Sequence, residues 1–247
     1  MGCKMENEQI IFTIITPVYN CVDGINRTIQ SIINQKCSGV QYIVLDACST
    51  DGTTEEILKY KDKIDIIVEK DKGIYDAMNK GIEKAKGEYL YFIGSGDILM
   101  DDILSKVYKY AKGGEYDIIY GGVEVGEKRE RNCFKYSQKV MFAKNICHQA
   151  MFFKKDIFKK FGVYKLKYKY LSDYEKNLRI FGDESTKKLF INEIIAHYEG
   201  NGASDNFVDE AFKEDKDKIM RESYGLCGFL KYKYNHYFQK IKSKITK

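Results

Sequence analysis

Four short apolar runs, at residues 10–16, 42–45, 64–68 and 89–93, alternate with stretches whose apolar residues recur at helical spacing. Runs of that length, closed by glycine, proline or acidic residues, read as buried strands. The stretches between them read as helices over 24–35 (Ile25, Ile29, Ile32, Ile33), 53–60, 74–86 (Ile74, Met78, Ile82 and Ala85 on one face) and about 101–111. Strand and helix in strict alternation predict a parallel sheet with helices on both faces, because a parallel neighbour is reached only through a crossover. In such sheets ligands bind beyond the carboxyl ends of the strands. Those ends carry Thr16-Pro17-Val18-Tyr19-Asn20, Asp46, Asp71 and Gly94-Ser95-Gly96-Asp97. Pro17 is the one proline in the chain, and it keeps Thr16 out of helical geometry. The first strand is followed by neither a dinucleotide fingerprint nor a phosphate loop of the GxxxxGK type.

Asp97 closes the most apolar of these runs. An acid just past a buried strand costs desolvation unless something pairs with it, and a hard divalent cation is one such partner. The plainer reading is that Asp97 caps a helix starting near Met100. Residues alone leave both open.

The second half changes character. Residues 121–136 are irregular, charged and weakly alternating, as expected of a mixed-sheet edge. Short strands are expected at 117–120, 151–153 and 189–195, and helices at 156–161, 171–181 and 206–224. The helix at 171–181 opens on Ser172-Asp173, and the strand at 189–195 runs into Ala196-His197.

At 247 residues, 44% hydrophobic, the chain has enough material for one α/β domain with an appendage. A formal charge of +5, from 41 basic and 36 acidic residues, is too mild to indicate nucleic acid. Seven cysteines at positions 3, 21, 37, 48, 133, 147 and 227 show no CxxC spacing. With no secretory leader evident, they read as free thiols in a reducing compartment, and the expected location is cytoplasmic. From Lys231 onward six lysines (Lys231, Lys233, Lys240, Lys242, Lys244, Lys247) alternate with Tyr232, Tyr234, Tyr237, Phe238 and Ile241. That pattern suits the surface of an anionic membrane, at its inner face, as well as a solvated tail.

Four blocks, TPVYN, LDACSTDGT, EKDKGIYDAMNKGIEKAKGEYLYFIGSGD and LSDYEKNLR, stand in an order and spacing that resembles the inverting family-two glycosyltransferases. The match is closest to bacterial enzymes of surface-polysaccharide synthesis and covers about residues 10–204. The resemblance implies the nucleotide-diphosphosugar transferase fold (GT-A): a mostly parallel central sheet flanked by helices, a mixed-sheet acceptor half and C-terminal helices. On that plan residues 1–9 form a disordered tail, 10–120 the nucleotide half, 121–204 the acceptor half and 205–247 a helical extension.

The resemblance further implies a nucleotide-sugar donor, UDP-linked, and a saccharide or lipid-linked saccharide acceptor, with no nucleic-acid partner. It places Thr16, Pro17, Tyr19, Asn20, Asp46, Asp71, Ser95 and Gly96 around the nucleotide sugar, with Asp46 accepting from the uracil imide. Asp97 matches the metal-binding acid for Mn²⁺ or Mg²⁺, with His197 as a second ligand. His148 and Gln149 match positions near the donor sugar or acceptor. Asp173 matches the catalytic base, since inversion needs a carboxylate to deprotonate the attacking hydroxyl. Asp76 and Asn79 lie one turn apart, with Asn79 either tying down the nucleotide loop or solvated.

One departure stands out. Where relatives carry several acids, this chain has Gly-Ser-Gly-Asp, so a single carboxylate remains. That thinning motivates an alternative, a glycan- or membrane-binding relic of the fold without catalysis. A sugar-phosphate nucleotidyltransferase is disfavoured, because TPVYN has neither glycine nor a basic residue to grip a triphosphate.

Overall fold

A computed structural model describes residues 9–200 and 207–245; for Lys139, Asn235, His236 and residues 238–245 it describes the backbone alone. Residues 1–8 of the expected tail, Asn206, Lys247 and the side chains of Lys240, Lys242 and Lys244 thus lie outside the described residues. The chain divides into two compact units that interleave in sequence. Among the described residues the first holds 9–134, 147–164 and 187–200, and the second 135–146, 165–186 and 207–245.

The first unit is a GT-A type α/β sheet. Its elements are β1 (Phe12–Val18), α1 (Val22–Ile33), β2 (Val40–Asp46), α2 (Thr53–Leu58), β3 (Asp65–Val68), α3 (Ile74–Lys84), β4 (Tyr89–Phe92), β5 (Ile98–Leu99) and α4 (Ile103–Ala111). They continue through β6 (Ile118–Val125), β7 (Glu130–Asn132), and, after α5 of the other unit, β8 (Met151–Lys154), α6 (Asp156–Phe161) and β9 (Lys188–Tyr198). The strand order is β3-β2-β1-β4-β8-β6-β9-β5, with β7 paired to β6. The four strands of the alternating half run parallel. β8 is antiparallel to both β4 and β6, and β5 is antiparallel to β9.

β1 and β4 are buried along their whole length, because helices cover both faces of a parallel sheet. That is why their sequences are continuous apolar runs and not alternating ones. Phe152 and Tyr91 stack at 4.5 Å between ring centres, carrying the core from the parallel half into β8. After β1 the chain winds to β2 and β3 on one side, then returns to β4 on the other. The crevice beyond the carboxyl ends of β1 and β4 is therefore the topological switch point, where such sheets bind ligands.

Several expectations need correction. No helix starts at Met100: Ile98 and Leu99 form β5, pairing with His197 and Ala196, and α4 begins at Ile103 after Asp102. The stretch 121–136 does hold a mixed-sheet edge, the antiparallel β7, but more of it is strand than expected. β6 runs on to Val125 in the sheet interior, and the chain turns back through β7. His197 lies within β9 and not after it. On α3, Ile74 is exposed while Tyr75 is buried beside Met78 and Ile82.

The second unit is helical: α5 (Gln138–Ala143), α7 (Ser172–Gly182) and α8 (Glu210–Ile245). α8 breaks at Gly225 (φ 64°, ψ −176°), one residue past the predicted end of the helix expected at 206–224. Tyr174 of α7 stacks on Phe212 of α8 at 5.2 Å, and Phe142 of α5 meets Tyr224 edge-on at 5.0 Å. Lys216 sits over the rings of Tyr174, Phe212 and Tyr232, its ammonium held by cation–π attraction.

Candidate active site

The first turn of α1 organises the loops at the switch point. Its first amides cannot be paired within the helix, and the preceding Cys21 supplies no side-chain cap, although its carbonyl accepts the Gly24 N–H at 3.2 Å. The loop after β2 provides them: the Cys21 N–H donates to Thr53 Oγ1 at 2.8 Å and the Val22 N–H to Asp51 Oδ2 at 3.1 Å. Asn20, in left-handed geometry (φ 47°), adds two more links. Its N–H donates to Ser49 Oγ at 2.9 Å, and its Oδ1 accepts the Thr50 N–H at 2.9 Å. Ser49 in turn donates its hydroxyl and its N–H to Asp46 Oδ1, at 2.5 and 3.0 Å, and Thr54 donates to Asp46 Oδ2. Asn20 and Asp46, predicted from separate blocks, thus share one hydrogen-bonded loop pair. Within that loop pair Asp46 holds its own turn.

Thr16 is buried against the Tyr42 hydroxyl at 3.1 Å, whereas Tyr19 stands 63% exposed at the mouth of the same loop. Asp71 accepts the Gly73 N–H at 2.8 Å, a bond within its own turn. Asn79 exchanges two 2.9 Å hydrogen bonds with the backbone of Tyr164. It ties down that segment and not the nucleotide loop.

A second cluster surrounds Asp97. It caps no helix, which removes the plainer of its two readings. Its side chain is 5% exposed. Gln149 donates Nε2 to Oδ2 at 2.7 Å, and the Glu199 N–H reaches Oδ1 at 3.3 Å. Cys147 sets the Gln149 amide by donating its thiol to Oε1 at 2.7 Å. Burial raises the Asp97 carboxyl above the usual carboxylate range; the Gln149 bond, the charge of His148 when protonated and the backbone N–H groups pull the other way. Gln149 and His148, expected near the donor sugar or acceptor, therefore stand beside the Asp97 carboxylate, on the short 3₁₀ turn His148–Ala150. Ser95 and Gly96 lie in the loop leading to it, with Gly96 at φ 101°.

Three participants escape a motif-based reading. Thr28, fully buried on α1, accepts the Gly96 N–H at 2.9 Å and donates to the Asp97 carbonyl at 2.8 Å. Its signal was present: a hydroxyl on the apolar face set by Ile25, Ile29 and Ile32 must find a polar partner. Glu199 follows a strand as Asp46 and Asp97 do, yet belongs to no quoted block. Arg27 pairs with Glu199 at 2.6 Å and lies outside the quoted blocks too.

Among the described residues no group of three or more His, Cys, Asp or Glu side chains forms a metal cage. Asp97 nonetheless fits a cation that arrives with its ligand. Mg²⁺ and Mn²⁺ take oxygen donors, and Mg²⁺ commonly one or two carboxylates with the rest from phosphate and water. Asp97 Oδ2 accepts from Gln149 and its Oδ1 from the Glu199 N–H, and each carboxylate oxygen can accept more than one bond. His197, 7% exposed, has no hydrogen-bond partner at Nδ1, and its register partner Ile98 adjoins Asp97.

In the second unit Asp173 stands in the first turn of α7, 8% exposed. Asn145 donates Nδ2 to its Oδ2 at 2.8 Å, and the Tyr174 N–H donates to Oδ1 at 2.8 Å. Asn177 fixes Asn145 by donating to its Oδ1 at 2.9 Å and to the Ile146 carbonyl at 3.2 Å. The carboxylate is held in one orientation by an asparagine pair.

Residues 13–198 match Glycosyl transferase family 2, and the chain belongs to that family: it is a glycosyltransferase. It is 31% identical over 212 residues to the PGL/p-HBAD biosynthesis glycosyltransferase of Mycobacterium bovis, covering 82% of each protein. It is 36% identical over 111 residues to the putative teichuronic acid biosynthesis glycosyltransferase TuaG of Bacillus subtilis, covering 43% of this chain and 44% of TuaG. Among solved structures it is similar to S. aureus TarS 1-349 in complex with UDP-GlcNAc (TM-score 0.68, 18% identity, 86% of this chain, 65% of that one). It is also similar to the mannosyltransferase PcManGT of Pyrobaculum calidifontis in complex with GDP-Man and Mn²⁺ (TM-score 0.62, 15% identity, 88% of this chain, 64% of that one). The chain thus spans just under two thirds of each of those two structures, which support the GT-A fold.

Proposed function

We propose that this glycosyltransferase moves a sugar, with inversion, from a nucleotide diphosphate sugar to a saccharide or lipid-linked saccharide in surface glycan synthesis. The observation that carries the donor half is Asp97, a carboxylate buried at the switch point although burial disfavours its charge. The UDP-GlcNAc complex of TarS and the GDP-Man and Mn²⁺ complex of PcManGT support a nucleotide-sugar donor and a divalent cation. A UDP-linked donor is the reading adopted. The names of the mycobacterial and Bacillus relatives support a role in glycan synthesis.

Asp97 would hold Mn²⁺ or Mg²⁺, with His197 as a second candidate ligand; when bound, the cation offsets charge on the departing diphosphate. Asn20 and the Asp46 loop line the nucleotide side, with Thr16, Pro17 and Tyr19 on the strand end and Ser95 and Gly96 on the loop beside the diphosphate. Asp71 is the weakest member of this set, since its own turn accounts for its contact. Asp173 acts as base. The acceptor oxygen forms its bond to the anomeric carbon opposite the leaving group, the bond to the diphosphate oxygen breaks, and the hydroxyl proton passes to the Asp173 carboxylate.

Calorimetry with UDP, with and without Mn²⁺, tests the donor half. Cation-enhanced UDP binding that Asp97→Ala removes supports it; equal binding in both proteins refutes it and favours the relic. Hydrolysis across a panel of UDP- and GDP-sugars identifies the donor. Asp173→Asn tests the base: UDP affinity stays and transfer is lost by 100-fold or more, on the order expected for a general base. Transfer at the wild-type rate refutes the assignment.

We further infer that the enzyme works peripherally at an anionic, cytoplasm-facing membrane surface. Beyond Gly225, α8 exposes Leu226, Leu230, Tyr234 and Tyr237, each about 60% accessible, at spacings of four, four and three that align them on one helix face. Phe229 and Tyr232 are buried. Lys231 and Lys233 flank the exposed row, and residues 226–247 contain six lysines and no acid. An apolar stripe edged by lysine suits anionic headgroups. No helix among the described residues is long and apolar enough to cross a membrane. Sedimentation with phosphatidylglycerol-containing vesicles, abolished by salt and by Leu226→Ser with Leu230→Ser, supports this; no binding to such vesicles refutes it.

A further inference from the structure

We propose that Arg27 is a diphosphate-binding residue held in reserve by Glu199, and that the donor's diphosphate displaces the Glu199 carboxylate from its guanidinium. The inference rests on the nucleotide-sugar reading and names a residue of that site. Arg27 Nη2 lies 2.6 Å from Glu199 Oε1, with the two side chains 52% and 43% exposed. The pair stands over the loop that carries Asp97. Glu199 Oε2 is 3.4 Å from the point a Cβ on Gly96 would occupy, and the Glu199 N–H bonds the Asp97 carboxylate. On α1, Gly24, Arg27 and Thr28 share one face by their spacing of three and four. Gly24 touches Gly96, and Thr28 bonds both Gly96 and Asp97. The guanidinium therefore borders the loop that carries the buried Asp97 carboxylate.

An exposed guanidinium–carboxylate pair contributes little in water, because both ions remain well solvated. A diphosphate offers the same guanidinium a second negative charge and a fork of oxygens that matches its planar donors. Exchange of one anion for the other is therefore favourable once the nucleotide is anchored nearby. The pair also answers the thinned Gly-Ser-Gly-Asp motif: a cation fixed on the protein supplements the single carboxylate available for a metal ion.

Titrations of UDP and uridine against the full chain, in EDTA so that metal plays no part, test this. Arg27→Gln is expected to weaken UDP tenfold or more and leave uridine unchanged. Glu199→Gln is expected to tighten UDP, because it releases the guanidinium, and to have no such effect in the Arg27→Gln background. UDP affinity unchanged in Arg27→Gln, or weakened in Glu199→Gln, overturns the proposal while leaving the donor reading intact. If the wild-type chain binds neither UDP nor uridine in EDTA or with Mn²⁺ restored, the donor reading itself falls and this inference with it. Should Arg27→Gln not fold, the Glu199→Gln comparison decides alone, since its predicted gain cannot arise from damage.

Discussion

The Thr28 hydroxyl clamps the backbone on both sides of the Gly96–Asp97 peptide: it accepts the Gly96 N–H at 2.9 Å and donates to the Asp97 carbonyl at 2.8 Å. A helix side chain thereby fixes a loop of seventy residues later, and with it the direction of the Asp97 carboxylate. Thr28→Val keeps the shape and removes both bonds, leaving a buried N–H and a buried carbonyl unpaired. Unsatisfied buried groups cost about 1–3 kcal/mol each way the loop cannot relax. The expected loss is of that order in urea unfolding, together with weaker cation-enhanced UDP binding. Stability and UDP binding both equal to wild type would show that the clamp is incidental.

Gly24 sets two effects of opposite sign against each other. Replacing a helical glycine by alanine gains up to about 1 kcal/mol of helix propensity. A Cβ there, however, would stand 2.9 Å from Gly96 Cα and 2.8 Å from Cys21 Sγ. The sulfur can rotate away; the Gly96 backbone, pinned by Thr28, cannot. Overpacking of this kind costs about 1–3 kcal/mol, so Gly24→Ala is expected to lower the urea midpoint despite its better propensity. A raised midpoint would mean the Gly96 loop yields freely.

Much of the fold was legible because burial on both faces leaves an unmistakable mark: Phe12–Val18 and Tyr89–Phe92 are buried throughout and carry no charged residue. Asp97 was legible for the complementary reason, being an acid where the core ends. β5 was not, since two residues carry no periodicity and Ile98–Leu99 is a strand only because β9, a hundred residues on, pairs with it. The length of β6 was hidden by Gly121 and Gly122, which read as breakers. In the sheet they are required by close approach: a Cβ on Gly122 would stand 2.6 Å from the Asn132 carbonyl, and one on Gly121 2.5 Å from that of Glu193. The hold of Gln149 on Asp97 and of Asn145 on Asp173 was likewise invisible, because each depends on tertiary contact and not on local pattern.

Asp97 should cost the protein stability in its charged form. Burial raises its carboxyl pKa, so the folded chain keeps the proton to a higher pH than the unfolded chain does. The unfolded state then binds fewer protons across that window, and the Asp97 contribution to stability falls as pH rises from the ordinary carboxylate range through the folded value. Asp97→Asn removes the ionisation and keeps the size. The expected result is that the variant's stability relative to wild type increases with pH over that window, while cation-enhanced UDP binding is lost. In the wild type, that binding should decline at a pH above the ordinary carboxylate range. A stability difference that is flat with pH would show that the charged carboxylate carries no such cost.

Lys176 makes the opposite pH dependence on the helical unit. Its side chain is fully buried on α7, and burial brings its pKa down from 10.5 to about 8; Glu175 opposes the shift while Lys165 and Arg179 add to it. Between these values the unfolded chain carries the proton and the folded chain does not, so stability gains with rising pH across that window and the gain is complete above 10.5. Below pH 8 both states are protonated and the cost of the buried charge is constant, about 3 kcal/mol at most from the size of the shift. Other groups titrate in the same range, including Tyr174 and Tyr224, whose pKa values burial raises. The comparison that isolates Lys176 is therefore wild type against Lys176→Met by urea unfolding at pH 7.5 and pH 10. The variant is expected to be the more stable of the two at pH 7.5, with the advantage shrinking by pH 10 as the wild-type lysine sheds its charge. An advantage that stays constant across that interval would mean Lys176 is neutral, or fully charged, at both ends, and that burial does not govern its protonation.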